Sequence, residues 1–136
     1  MQKRILFLCT GNSVRSQMAE GLANALHGDR VVAVSAGSRP SGWVHPYAVR
    51  AMAAIGIDIS AGQSKQADLF LGESFDVVVT VCSSAAMDCP LWPGARRLEH
   101  WPIEDPSLGP GDAAARFAET RDELARRIDA LVEELD

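Results

Sequence analysis

The 136-residue chain is 47% hydrophobic with a net charge of −5, which allows a compact core and gives a poor electrostatic footprint for nucleic acid or an acidic membrane. No apolar run approaches the ~18 residues of a membrane helix. The opening Met-Gln-Lys-Arg precedes a short strand-like run with no small-residue cleavage site, so no signal peptide is expected and the protein is read as cytoplasmic. In a reducing compartment, three cysteines (Cys9, Cys82 and Cys89) argue against a structural disulfide framework.

In chain order, Arg4 to Cys9 is an apolar run of strand length. Gln17 to His27 spaces Met18, Leu22 and Leu26 as one helix face, and Gly28 ends it. Arg30 to Ala36 is a second, β-branched strand closed by Gly37. His45-Pro46 opens a helix over Tyr47 to Ile55, and Phe75 to Val81 scarcely alternates, as a strand buried on both faces does. Arg96 to Trp101 reads as a short fourth strand. Asp112 caps a last helix with Phe117, Leu124, Ile128, Leu131 and Leu135 on one face and the acid-first pairs Asp122/Arg126 and Glu123/Arg127. This alternation implies one α/β domain over residues 1–136, a parallel sheet with right-handed crossovers and helices on both faces. Ligands of such sheets sit beyond the carboxyl ends of the strands. Cys9 ends the first strand and Cys82 follows the third. If these strands are neighbours, the two sulfurs face one crevice, about 5 Å apart or a little more.

Cys9 is followed by Thr10, Gly11, Asn12, Ser13 and Val14, then Arg15 and Ser16. A loop from a strand end into a helix N-terminus presents successive N–H groups inward, and the helix dipole adds positive charge. Gly11 and Asn12 suit the positive φ of such a nest, and Ser13 keeps it small. Arg15 supplies a planar fork for two oxygens of a tetrahedral oxyanion. The same donors favour a thiolate at Cys9, to which Ser16 can add a hydroxyl hydrogen bond. Residues 10 to 16 are therefore the expected oxyanion site. Taken alone, each cysteine reads more simply as a small buried hydrophobe.

Cys82 and Cys89 stand seven residues apart in VCSSAAMDCP. As helix, this segment would hold their α-carbons ~10 Å apart, whereas a disulfide needs roughly 4.4–6.8 Å. Pairing would thus require unwinding, which Ser83, Ser84, Asp88 and the flanking prolines make easy. The segment is expected to be helical when reduced and looped when oxidised. The spacing is too wide for a zinc ligand pair, and His27, His45 and His100 show no metal or triad spacing, so no metal is expected. Trp43 can line the crevice mouth or pack on its own domain.

Through CTGNSVRSQMAEG, VSAG, AVRAM…IDIS, VTVCSSAAMDCP and EHWPIEDP, nearly the whole chain resembles the thioredoxin-coupled arsenate reductases, a family built on the low-molecular-weight tyrosine phosphatase fold. The resemblance implies a three-layer α/β sandwich on a four-stranded parallel sheet, wound like flavodoxin. It also implies arsenic detoxification without a cofactor, and nothing in the sequence suggests more than a monomer. In it, Cys9 attacks arsenate held by the loop and Arg15, and Asp105, stiffened by Pro106, protonates the departing oxygen. Cys82 then attacks Cys9, arsenite leaves, and Cys89 attacks Cys82. Thioredoxin reduces the resulting Cys82–Cys89 disulfide.

Two departures stand out. Val14 replaces a cysteine common in the family. Lys65 replaces an aspartate that, with Asn12, Glu20 and Ser35, binds potassium in some relatives, so its ammonium is expected to substitute for the ion. The main alternative is a low-molecular-weight protein tyrosine phosphatase, which would use only Cys9, Arg15 and Asp105. That family's tyrosines after Asp-Pro are here Ser107 and Leu108, and weak phosphatase side activity is expected. A third reading is an oxyanion-binding redox sensor.

Overall fold

The apolar run near the start becomes the central strand, β1 (Lys3–Cys9), buried on both faces from Ile5 onward. Beside it lie β2 (Val31–Gly37), β3 (Phe75–Cys82) and β4 (Ala95–Pro102), all parallel, in the order β2-β1-β3-β4. The computed structural model describes residues 2–82 and 95–135, and of Cys82 only the backbone. The expected helix after Cys82, with Cys89, lies outside the described residues.

Alternation along the strands divides the core in two. Ile5, Phe7, Val31, Ala33, Val77, Val79, Val81 and Trp101 turn to one face. There they meet Met18 and Leu22 of α1 (Arg15–His27), Ala48 and Met52 of α2 (Pro46–Ala53), and Phe117, Leu124, Ile128 and Leu131 of α3 (Ala113–Glu134). Burying each of these larger side chains is worth roughly 1.5–3 kcal/mol. Leu6, Leu8, Ala36 and Val78 turn the other way, against Phe75 and the 3₁₀ turn Ala67–Phe70. The fold is thus α/β, with both faces of a four-stranded parallel sheet covered. Among the described residues no helix is long and apolar enough to cross a membrane.

The edge strand β2 is closed by a side chain. Asn24 of α1 mimics a neighbouring strand, its Oδ1 accepting from Ala33 N–H and its Nδ2 donating to Ala33 C=O, both at 2.9 Å. That pairing occupies groups that would otherwise recruit another strand.

Three local expectations need correction. Leu26 lies on the apolar spacing of α1 but is 52% exposed, and the last turn of that helix meets α3 through the His27–Asp129 hydrogen bond (2.7 Å). Asp122 is engaged by its neighbour Arg121 at 2.9 Å, whereas Glu123 and Arg127 do pair, at 3.1 Å. Helix α2 ends at Ala53 and not Ile55, where the chain turns back with Ile57 N–H on the Met52 carbonyl.

Candidate active site

The register of the sheet sets the site. Cys9 pairs with Gly37 on one side, Leu8 pairs with Thr80 on the other, and Cys82 pairs with Pro102. The carboxyl ends of β1, β3 and β4 therefore deliver Cys9, the Cys82 backbone and the segment leading to Asp105 to one edge of the sheet.

Beyond Cys9 the chain turns through residues 10–14 with every carbonyl engaged from outside. The carbonyls of Cys9, Thr10, Gly11 and Ser13 accept from the N–H groups of Ser38, Arg39, Ser41 and His45 at 2.9–3.3 Å. The Asn12 carbonyl accepts from Gln17 Nε2 at 3.2 Å, and that of Val14 from Met18 N–H at 2.9 Å. In a trans peptide the N–H points opposite the preceding C=O. Outward carbonyls thus turn the N–H groups of residues 11 to 15 to the inner side of the loop, where Asn12 N–H donates to Cys9 Sγ at 3.2 Å. Among the described residues no side chain caps the first turn of α1, and no acidic residue lies in it, so the positive end of the helix also opens on this concavity.

Asn12 holds the loop in shape. It is the one non-glycine residue with positive φ among the described residues, at 48°, and it is fully buried. All four hydrogen-bonding positions of its amide are filled. Nδ2 donates to Ser16 Oγ (2.8 Å) and Ser35 Oγ (2.9 Å), and Oδ1 accepts from Lys65 N–H (2.7 Å) and Gln17 Nε2 (3.1 Å). Gly11, expected to share the left-handed conformation, does not take it. A Cβ there would meet only Ser13 Oγ, at 3.4 Å. The glycine demanded by packing is Gly37, whose Cβ would stand 2.5 Å from the Thr10 carbonyl oxygen and 3.0 Å from Asn12 N.

Cys9 is buried, with Ser16 Oγ 2.8 Å from its sulfur. Arg15 is 8% exposed and makes no ion pair among the described residues. One arm of its guanidinium, Nη1, donates to the Ile103 carbonyl at 2.8 Å, while Nε is buried with no partner among the described residues. A buried cation with an idle donor favours an anionic ligand.

Asp105 lies two residues beyond Ile103. Its Oδ1 accepts from both the N–H (2.9 Å) and the hydroxyl (2.7 Å) of Ser107. It borders a cavity of about 280 Å³ shared with Leu108, Arg116 and Thr120.

Behind the loop, Asn12, Glu20, Ser35 and Lys65 are contiguous. Ser35 Oγ donates to Glu20 Oε1 at 2.7 Å, and Lys65 Nζ stands 3.6 Å from the same oxygen while donating to the Gln63 carbonyl at 2.8 Å. No cluster of three or more His, Cys, Asp or Glu suited to a metal occurs among the described residues. His45 serves structure: its Nδ1 caps α2, and its ring stacks on half-exposed Trp43 (5.5 Å between centroids) and packs on Phe117 (5.0 Å).

Sequence reading gave no role in the site to Gln17, Ser107 or Arg116. Gln17 is almost fully buried and ties Asn12 to the Gln63 carbonyl (2.7 Å). A glutamine beside Met18 on a helix face was the available signal. Arg116 carries no local pattern that marks it.

The profile described as low molecular weight phosphotyrosine protein phosphatase matches residues 4–136. The chain is 44% identical to an arsenate reductase of Halalkalibacterium halodurans, over 97% of this chain and 96% of the relative. It is 43% identical to an arsenate reductase of Bacillus subtilis, over 96% of each. A solved structure described as an arsenate reductase in the phosphate binding state superposes with a TM-score of 0.88 at 33% identity, covering 99% of this chain and 100% of that one.

Proposed function

Because the chain belongs to the low molecular weight phosphotyrosine protein phosphatase family, we propose that it reduces arsenate to arsenite through Cys9, Cys82 and Cys89, with thioredoxin as reductant. The observation that carries this reading is the buried Arg15 guanidinium with an idle Nε, at the end of a loop whose Asn12 N–H donates to the buried Cys9 sulfur. The arsenate reductases among its relatives support the choice of oxyanion.

The nest and Arg15 hold the oxyanion while the Cys9 thiolate attacks arsenic, and Asp105 gives its proton to the oxygen that leaves as water. The thiolate of Cys82 attacks the Cys9 sulfur. A sulfur–sulfur bond forms, the sulfur–arsenic pair stays on arsenic, and As(V) departs as As(III). Cys89 attacks Cys82 and frees Cys9. The two electrons lost by the thiols are restored when the thioredoxin dithiol reduces Cys82–Cys89. The relay thereby moves the oxidised bond away from a deeply buried sulfur. We place the enzyme in the cytoplasm as a monomer, where free thiols persist. Lys65 neutralises Glu20 behind the loop in place of a potassium ion, an assignment supported by the 3.6 Å contact.

The nest, Arg15 and Asp105 would also serve phosphate ester hydrolysis, so a weak phosphatase side reaction is expected. The test is NADPH consumption with arsenate, thioredoxin and thioredoxin reductase, for wild type and for Cys9→Ser, Cys82→Ser and Cys89→Ser. Loss of turnover in all three variants is expected. Loss in Cys9→Ser alone would overturn the three-cysteine relay, and a wild type that never consumes NADPH would be a phosphatase if it hydrolyses p-nitrophenyl phosphate and a sensor if it does not.

A further inference from the structure

The acid loop, residues 103–112, has little to hold it in place. Pro106 and Pro110 lack N–H groups, residues 107–111 are exposed, and Leu108 N–H on the Asp105 carbonyl (3.1 Å) is the backbone hydrogen bond formed within it. Arg15 Nη1 holds its first carbonyl, that of Ile103, at 2.8 Å, and one further side chain from outside gathers residues 106–111. Arg116, on the first turn of α3, donates from Nε to the Pro106 carbonyl (3.0 Å) and from Nη1 to the carbonyls of Pro110 (2.6 Å) and Gly111 (2.9 Å). Gly109 lies directly over it, since a Cβ there would be 3.5 Å from Arg116 Cδ.

The first of these bonds reaches Asp105 through a single peptide. The Pro106 carbonyl that accepts from Arg116 shares its peptide plane with Ser107 N–H, which donates to Asp105 Oδ1 at 2.9 Å. Because that plane is rigid, fixing the carbonyl aims the N–H, and polarising one end strengthens the other. Oδ1 is doubly occupied by Ser107, while Oδ2 takes no hydrogen bond among the described residues and is left to carry the transferable proton. The adjacent residue completes the arrangement. Phe117 packs on His45, whose N–H holds the Ser13 carbonyl of the anion loop at 2.9 Å. Residues 116 and 117 thus tie the acid loop and the nest to one turn of helix.

We propose that Arg116 is a positioning residue for Asp105, setting the height and rotamer of the carboxyl over the oxyanion through the Pro106–Ser107 peptide. This rests on the reading of Asp105 as the general acid, and the test separates the two. Arsenate reduction is measured in the thioredoxin-coupled assay for Arg116→Gln, Asp105→Asn and the double variant, and Ser107 amide exchange is followed in wild type and Arg116→Gln. Arg116→Gln should lower kcat about tenfold, since misplacing a catalytic group by an ångström or less is felt strongly, with KM for arsenate changed less than about twofold. In the Asp105→Asn background the same substitution should change kcat less than about twofold. The Ser107 amide should exchange faster in Arg116→Gln. If Asp105→Asn leaves kcat intact, the general-acid reading fails and this proposal with it. If Asp105→Asn is slow but Arg116→Gln is not, or if the Arg116 effect persists undiminished in the Asp105→Asn background, the positioning role alone is overturned. Unchanged exchange at Ser107 overturns it as well, and that comparison holds even if the wild type shows no turnover. Should Arg116→Gln fail to fold, Arg116→Lys, which keeps the charge and stem but not the fork, enters the same cycle and should show a smaller loss of the same kind.

Discussion

The two loops that frame the site are built on opposite principles. The anion loop is half-buried, its carbonyls are all engaged from outside, and a fully buried, fully satisfied asparagine sits at its centre. The acid loop is exposed from residue 107 onward, with Leu108 at 71%, and beyond the Ile103 carbonyl held by Arg15 it is gathered by Arg116. Under the proposed function, the difference follows from what each would do. Donors aimed at an oxyanion work best when they need not reorganise, whereas a group that donates a proton must admit substrate and release product. Rigidity is spent where charge is held, and freedom is left where the substrate enters.

This contrast can be broken most severely at Asn12. Asn12→Ala leaves buried partners on Ser16, Ser35, Lys65 and Gln17 without their mates, at about 1–3 kcal/mol for each group left unsatisfied. Thermal or denaturant unfolding should register a loss among the largest for any single polar substitution, and phosphate or arsenate binding by calorimetry should fall with it. Gly37→Ala comes next. Its new Cβ meets the backbone carbonyl of Thr10, so either the end of β2 or the anion loop must shift, at about 1–3 kcal/mol. Gly11→Ala is the matched control. Despite its place inside the nest, it should stay within about 0.5 kcal/mol of wild type in stability, because the space is open and the φ ordinary.

The acid loop should answer differently. Ser107→Ala removes one hydrogen bond to Asp105 from an exposed loop, so its unfolding midpoint should match wild type within error while kcat falls severalfold, by an amount equivalent to about 1 kcal/mol. The smallest expected effect concerns the cation behind the nest. With Lys65 Nζ already beside Glu20, exchanging potassium for sodium at constant ionic strength should leave the arsenate reduction rate unchanged within about 20%, well under the factor that 1 kcal/mol would produce. A severalfold increase with potassium would remove the lysine from that role.

Much of this was legible locally, and the limits follow from physics. Strand β1 could be read because a run buried on both faces has to be continuously apolar, and Phe75 to Val81 shows the same mark. The left-handed turn at Asn12 was legible because few residues tolerate it, although the same reasoning wrongly included Gly11. Leu26 misled because spacing describes a helix and says nothing of what lies opposite its last turn. What stayed hidden depends on distant pairs. Lys65 N–H reaches Asn12 across 53 residues, and Arg15 reaches the Ile103 carbonyl across 88. Arg116 was hidden for another reason: its partners are carbonyls, which every residue has, so no side-chain pattern marks them.

The central claim is that the nest and Arg15 hold negative charge at and above the Cys9 sulfur. It is tested most directly by the alkylation rate of Cys9 with iodoacetamide at neutral pH, in a Cys82→Ser/Cys89→Ser background, with and without arsenate. The account predicts reaction faster than that of free cysteine and strong protection by arsenate. A sulfur that reacts no faster than free cysteine, with or without the oxyanion, would contradict it.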